Sequence, residues 1–515
     1  MIKILLRATA GAPSPLAIGK GPGGVRQCAA LILALAAAAG CSGSDAPPVG
    51  EVGHVTAFFG GVAADEPRAT LAGRDALSAG GTAADAAVAM YFTMAVTLPS
   101  AAGLGGGGVC VVYDSKTNKA ETLDFIARAP GRPAPDGRWT ATVPGTVRGM
   151  FALHARYGRL RWETLVQPAE TIARFGVPVP RALVRAIAGD GRTLLADAAS
   201  RRELGGASGR GLTESDTLRR FDLAATLGRI RSAGAGDLYT GQLARHYLEG
   251  IAAMGGYVAA EDLRAFRPVW RETVEAGIGP HRVHFPTSPA VGGRIAAAIW
   301  SKLGNGPFAD ADAVGRARLM ATAARDAYAA ALARPDQQHS SAGFLAMDRN
   351  GAAVSCAVTM NRPFGTGRTV PEVGFIAVSP PADAAGANLG LVPMVVANHN
   401  TTQAFLAATG SGDGFAAVAV TAATMGAFKE KASLQQLLAA PRVGPGPDPG
   451  TVIAERSVSP AAKAAIAGLG LRVVDGPALG RVQGIFCSDG MLRSPASCIA
   501  GADPRGFGYA LLAER

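Results

Sequence analysis

Aromatic residues are scarce, at 6% of the 515, and charged residues reach only 17%. So few aromatics leave no platform on which single-stranded nucleic acid could stack. Low charge beside 48% hydrophobic residues excludes a charge-extended disordered chain. The net charge is +11, yet no run of Lys or Arg forms a binding arm. The arginines stand singly in Ala-rich stretches, so nucleic acid is not an expected partner. Six cysteines include no C-x-x-C pair, and no HExxH occurs among the seven histidines, so neither zinc signature is present. His281 and His284 fall on a strand-like stretch at a spacing that points them to opposite faces, and no metal site is expected. G-x-S-x-G is missing too, which removes the nucleophile elbow of the α/β-hydrolases. Glycine is abundant, with 68 residues, but no G-x-y period suggests collagen. Gly103, Gly105 and Gly108 fit G-x-G-x-x-G. Here a helix precedes the glycines and a strand follows, the reverse of the order a dinucleotide needs.

The N-terminus is informative. Ala29 to Ala39 is an apolar run of 11 preceded by Lys20 and Arg26. A bilayer span needs ~20 residues, so this run reads as the core of a signal peptide over residues 1–40. Ala38-Ala39-Gly40-Cys41 resembles a bacterial lipobox. That resemblance implies cleavage before Cys41 and lipidation of its sulfur. The protein would then be exported, held on the periplasmic side, and in contact with membrane only through its lipid anchor. A plain secreted protein cut nearby is the alternative. Residues 41–53 read as a tether, and a globular region follows from 54. An exported chain permits a disulfide between Cys487 and Cys498. Cys110 and Cys356 lie in apolar strands and are expected as buried thiols.

Thr82 and Asp85 form a capping-box pattern that opens a helix to about Val96. Helical patterns recur over 144–188, 216–266 and 318–334. Strands are expected over 109–114, 451–455, 472–475 and 482–487. Without strict alternation, the mixture indicates an α+β layered fold. The clearest short signal is Asp348-Arg349-Asn350-Gly351 between two apolar β-prone runs, the chemistry of a hairpin turn. If the loop is three residues, Arg349 to Gly351, Ser341 falls opposite Thr359 and Asn361 lies diagonally on the same face. A two-residue loop would turn them away. A serine at the head of a strand becomes a nucleophile if the chain is cut before it. The freed α-amine, with a pKa of about 7.7–8.0, is then suited to act as its base. Cleavage between Ser340 and Ser341 would divide the fold into 54–340 and 341–515.

At this point the chain resembles the gamma-glutamyltransferase family over nearly all of 52–512. The stretches that carry the resemblance are Gly80–Met90, Gly103–Ile126, Val143–Glu170, Gly236–Arg245, Gly255–Glu275, Asn361–Arg368 and Ala502–Ala513. It implies a four-layer αββα N-terminal-nucleophile (Ntn) hydrolase fold and a precursor that cuts itself, giving a heterodimer of its own two fragments. It also implies transfer of a γ-glutamyl group from small amides such as glutathione, with no cofactor. Carried over residue by residue, the nucleophile falls on Ser341, with Thr359 and Asn361 orienting it. Gly414 and a neighbouring N–H would polarise the carbonyl. Asp383 would hold the substrate's amino group. The family's carboxylate-binding arginine falls on Ile126, with Arg128 two residues on as a substitute, and its Gly-Gly becomes Asp413-Gly414. The two residues after the nucleophile are Ala342 and Gly343 rather than Thr-His, and Leu389-Gly390 stand where the family has two serines. These departures keep two alternatives open: an Ntn acylase for a non-glutamyl amide, and a catalytically degenerate binding or structural lipoprotein.

Overall fold

The hairpin expected around Asn350-Gly351 is the centre of the fold. Its loop is Arg349, Asn350 and Gly351, and Gly351 has φ +80°, a left-handed conformation that costs glycine nothing. The Gly351 N–H donates to the Asp348 carbonyl at 2.9 Å. The Asp348 carboxylate accepts the N–H groups of Asn350 and Ala352. This three-residue loop places Ser341 opposite Thr359, the register expected from the sequence. The computed structural model describes residues 58–304, 306–308, 310–335, 339–381, 388–429 and 432–514. The expected signal segment, Cys41, the tether and Asp383 lie outside the described residues.

Two large sheets are built from β1 (Phe58–Ala64), β2 (Gly107–Asp114), β3 (Lys119–Asp124), β4 (Val269–Glu272), β5 (Val274–Ile278), β6 (His281–Phe285), β7 (Ser340–Asp348), β8 (Ala353–Asn361), β9 (Val392–Asn398), β10 (Gln403–Ser411), β11 (Arg481–Cys487), β12 (Cys498–Ala502) and β13 (Tyr509–Glu514). One sheet has the order β13-β1-β7-β8-β2-β3-β4, the other β12-β11-β10-β9-β6-β5. Each neighbouring pair is antiparallel.

The sheets face each other across one buried cluster, where Ala63, Val111, Leu345 and Met347 meet Val395, Ala407 and Ile485. Against the outer face of the first sheet lies the helix Ala83–Thr97, every residue of which is buried. It carries the expected capping box between Thr82 and Asp85. Because it is apolar all round, it must be covered on both sides. Phe344 of β7 packs on its Tyr91, and Trp162 of an outer helix packs on its Phe92. Helices Val291–Leu303, Ala313–Ala330 and Ala416–Lys429 cover the second sheet. The order is therefore helix, sheet, sheet, helix, the expected four layers. Among the described residues no helix is long and apolar enough to cross a membrane.

Cys110 and Cys356 are not free thiols. They stand directly opposite on β2 and β8 and form a disulfide. Cys487 and Cys498 pair likewise across β11 and β12. In each case strand pairing brings the two Cβ atoms within bonding reach. The sequence hides the first pair because its members are 246 residues apart. His281 and His284 do face opposite ways: His281 packs on Phe405 and Phe428, whereas His284 meets His399.

Candidate active site

Ser341 is almost fully buried and forms part of the wall of a cavity of about 1060 Å³. His339, Thr359, Asn361, Arg362 and Gly390 line the same cavity. The ladder between β7 and β8 is irregular at this point. The register shifts between Ser340 and Ser341, so Ser340 pairs with Asn361 and Ser341 with Thr359. The irregularity aims a hydroxyl at the peptide that precedes Ser341. Thr359 Oγ1 donates to the Ser340 carbonyl at 2.6 Å, while the Asn361 N–H donates to Thr359 Oγ1 at 2.9 Å. With its oxygen accepting from Asn361, the Thr359 hydroxyl has its own proton committed to Ser340. A carbonyl that accepts a short hydroxyl bond in a buried site is polarised toward attack.

The nucleophile candidate is held just as closely. The Gly412 N–H donates to Ser341 Oγ at 2.8 Å, and the Ser341 N–H donates to the Gly412 carbonyl at 3.3 Å. Ser340 Oγ donates to the Ser100 carbonyl at 2.8 Å. A Cβ added to Gly390 would lie 2.4 Å from Ser341 Oγ, so any larger residue there would force the hydroxyl out of this rotamer. On the other side, Arg481 Nη2 donates to the Ser341 carbonyl at 3.2 Å. Arg481 Nε lies 3.8 Å from the Asp65 carboxylate. Asp65 also accepts from the Gly343 N–H, Ser411 Oγ and Gln483 Nε2.

Ser341, Thr359 and Asn361 therefore come together as expected, with one change. Asn361 has φ +63°, and its side-chain amide donates to the Ser379 carbonyl at 2.9 Å rather than to Ser341. Its contribution to Thr359 is made by the backbone.

The other assignments fare differently. Gly414, expected to polarise a substrate carbonyl, has its own backbone engaged by a neighbouring helix and loop. Its carbonyl accepts the Tyr328 hydroxyl at 2.6 Å, and a Cβ on it would meet Pro335 at 2.6 Å. The N–H that meets Ser341 Oγ belongs to Gly412, two residues earlier, where the backbone turns at φ +101°. The Asp413 carboxylate accepts the N–H groups of Phe415 and Gly480, and burial pushes its pKa above the ordinary carboxylate range. It caps the loop and does not line the cavity.

Arg128 is also outside the cavity lining and pairs with Asp124 at 3.0 Å. Ile126 packs in an apolar cluster with Val109, Ala290, Ala357 and Leu391. The arginines on the cavity wall are Arg362 and Arg368. Arg368 is engaged by the Met254 carbonyl at 2.8 Å and lies over the Trp139 ring. Gly412, Gly390 and Arg481 were not found by sequence reasoning, which followed the family's glycine pair and looked no further along the chain. Among the described residues no group of three or more His, Cys, Asp or Glu side chains could hold a metal.

Two facing antiparallel sheets between helical layers, with a hydroxyl residue heading a central strand, define the Ntn-hydrolase architecture. Cephalosporin acylase from Bacillus halodurans shares this fold, with a TM-score of 0.75 over 91% of this chain and 98% of that one, at 22% identity. Residues 69–308 match the family described as gamma-glutamyltranspeptidase, and over that stretch the chain is similar to it as a divergent relative.

The glutathione hydrolase proenzyme of Escherichia coli (strain K12) is 29% identical over 402 residues, 64% of this chain and 69% of that protein. The glutathione hydrolase proenzyme of Bacillus subtilis (strain 168) is 34% identical over 233 residues, 41% of this chain and 39% of its own length. Scoloptoxin SSD14 of Scolopendra dehaani is 32% identical over 247 residues, 45% of this chain and 43% of that protein. In the last two, the match spans roughly two-fifths of the relative's length.

Proposed function

We propose that this chain is a self-processing amide hydrolase or transferase whose nucleophile is Ser341. The observation that carries the reading is the 2.6 Å bond from Thr359 Oγ1 to the Ser340 carbonyl, one peptide before a serine hydroxyl fixed by the Gly412 N–H. Ser341 Oγ attacks the Ser340 carbonyl carbon, and Thr359 stabilises the developing oxyanion. The bond from that carbon to the Ser341 nitrogen breaks, and the proton from Oγ ends on the nitrogen. Water then hydrolyses the ester. Ser340 becomes a carboxylate and Ser341 carries a free α-amine. In the second phase this amine takes the proton from Oγ as the hydroxyl attacks a substrate amide. The amine half of the substrate leaves with a proton, and the acyl ester passes to water or to an acceptor amine.

For the substrate, the match of residues 69–308 to that family and the names of the two glutathione hydrolase proenzymes favour a γ-glutamyl amide such as glutathione. A specific observation favours a second reading, an acyl amide without the amino-acid head. Ile126 is packed in apolar surroundings, and Arg128 is committed to Asp124. Neither is available to a substrate α-carboxylate.

Intact mass of the purified, reduced protein tests the first claim: two fragments divided between 340 and 341 are expected. A folded protein that stays uncut overturns it. Hydrolysis of γ-glutamyl and butyryl p-nitroanilides separates the substrates. A preference of about tenfold or more for the glutamyl compound removes the second reading. A preference of that size requires only ~1.4 kcal/mol of differential binding, less than one well-placed ion pair with a buried cation.

A further inference from the structure

Arg481 touches the nucleophile without entering the cavity. It opens β11, opposite Ser411 of β10. Its guanidinium carbon lies 3.1 Å from where a Cβ of Gly412 would stand. It therefore supports both the Ser341 carbonyl and the loop whose N–H holds Ser341 Oγ. Asp65 braces the same strand two residues on, at the Gly343 N–H, at 2.8 Å. The two charged groups bracket the first three residues of the segment that cleavage would free.

We propose that Arg481, held by Asp65, is a positioning residue whose fixed positive charge disfavours protonation of the liberated Ser341 amine. This deepens the reading of Ser341 as an N-terminal nucleophile and rests on it. The nitrogen and carbonyl oxygen of one residue are about 3 Å apart by backbone geometry. The guanidinium thus sits within about 6 Å of the new amine, a range over which a like charge disfavours the protonated form by about 1–3 pH units. The Arg481 side chain is 33% exposed and paired with Asp65, which places the effect at the low end.

The other charged groups around the amine act against it. They are Asp65 from β1 and the new carboxylate of Ser340; the Asp413 carboxyl in the loop after β10 adds to them only where it is ionised, since burial favours its neutral form. His339 is the titratable neighbour on the cleaved side. A base must be deprotonated to act, so without Arg481 the amine of this site would be largely protonated at neutral pH.

The test is the pH profile of kcat/KM on a chromogenic amide for the cleaved enzyme and two variants. Arg481→Gln removes the cation and exposes the amine to Asp65, so the acidic limb moves up by about one pH unit. Activity then falls about tenfold below the limb and little above it. Asp65→Asn removes the opposing carboxylate, so the limb moves down. Opposite displacements are the signature of charge, because a merely structural loss lowers the rate at every pH. A limb that stays put in both variants, or moves the same way in both, overturns the inference while cleavage at Ser341 still stands. If Arg481→Gln does not process, Asp65→Asn alone decides: a downward shift supports the inference, and no shift or an upward one overturns it. If the wild type itself is uncut, the Ser341 reading fails first and this inference with it.

Discussion

Ser341→Ala is expected to leave the chain in one piece and to abolish amide hydrolysis. The hydroxyl supplies the only atom that can bond to the Ser340 carbonyl carbon in the proposed mechanism, so no slower version of the same route survives its removal. The fold should persist. Alanine keeps the Cβ, and the change gives up one hydrogen bond from the Gly412 N–H, a loss of ~1–3 kcal/mol for a buried donor left unpaired. Mass spectrometry of the reduced protein reads the result, with circular dichroism as the check on folding. A Ser341→Ala protein that still divides at 340 would show that another group performs the cut, and the mechanism would be withdrawn.

Thr359→Val is expected to give the second largest effect, a slowing of self-cleavage by roughly 10²–10³-fold, the loss typical of one oxyanion donor. Valine has nearly the shape of threonine, so packing in β8 is kept. The hydroxyl on the Ser340 carbonyl disappears, and the Asn361 N–H loses its acceptor. Thr359→Ser should restore most of the rate, because the donor returns even though the methyl is gone. The time course of fragment appearance from freshly purified precursor measures it. A half-time unchanged in Thr359→Val would mean that the 2.6 Å contact has no part in the chemistry.

The pairing of Ser341 with Thr359 was legible in the sequence because it depends on local rules. Asn350-Gly351 fixes the loop, the loop fixes the register, and the register carries back nine residues to the strand's head. The helix opened by Thr82 was legible for the same reason. What escaped depends on contacts between distant segments. The irregular step between Ser340 and Ser341 decides which carbonyl Thr359 reaches, and alternation along a strand gives no sign of it. Which N–H meets Ser341 Oγ depends on how the loop after β10 turns above it. Arg481 follows Ser341 by 140 residues and sits in a strand where a lone arginine looks like a surface charge. Asn361 was placed correctly in register, yet its positive φ sends the amide to Ser379. Gly390 reads in the sequence as a lost serine, and only the fold shows how closely Ser341 Oγ approaches it.

The bridge between Cys110 and Cys356 joins β2 to β8. Those strands belong to opposite sides of the 340/341 peptide, so the cut would not set the halves free. They would stay covalently tethered in an oxidising compartment, and the mature protein would migrate as one species until a thiol reductant released two. Subunit exchange between molecules would thereby be forbidden, and each Ser341 would be kept for life with the helical layer made alongside it.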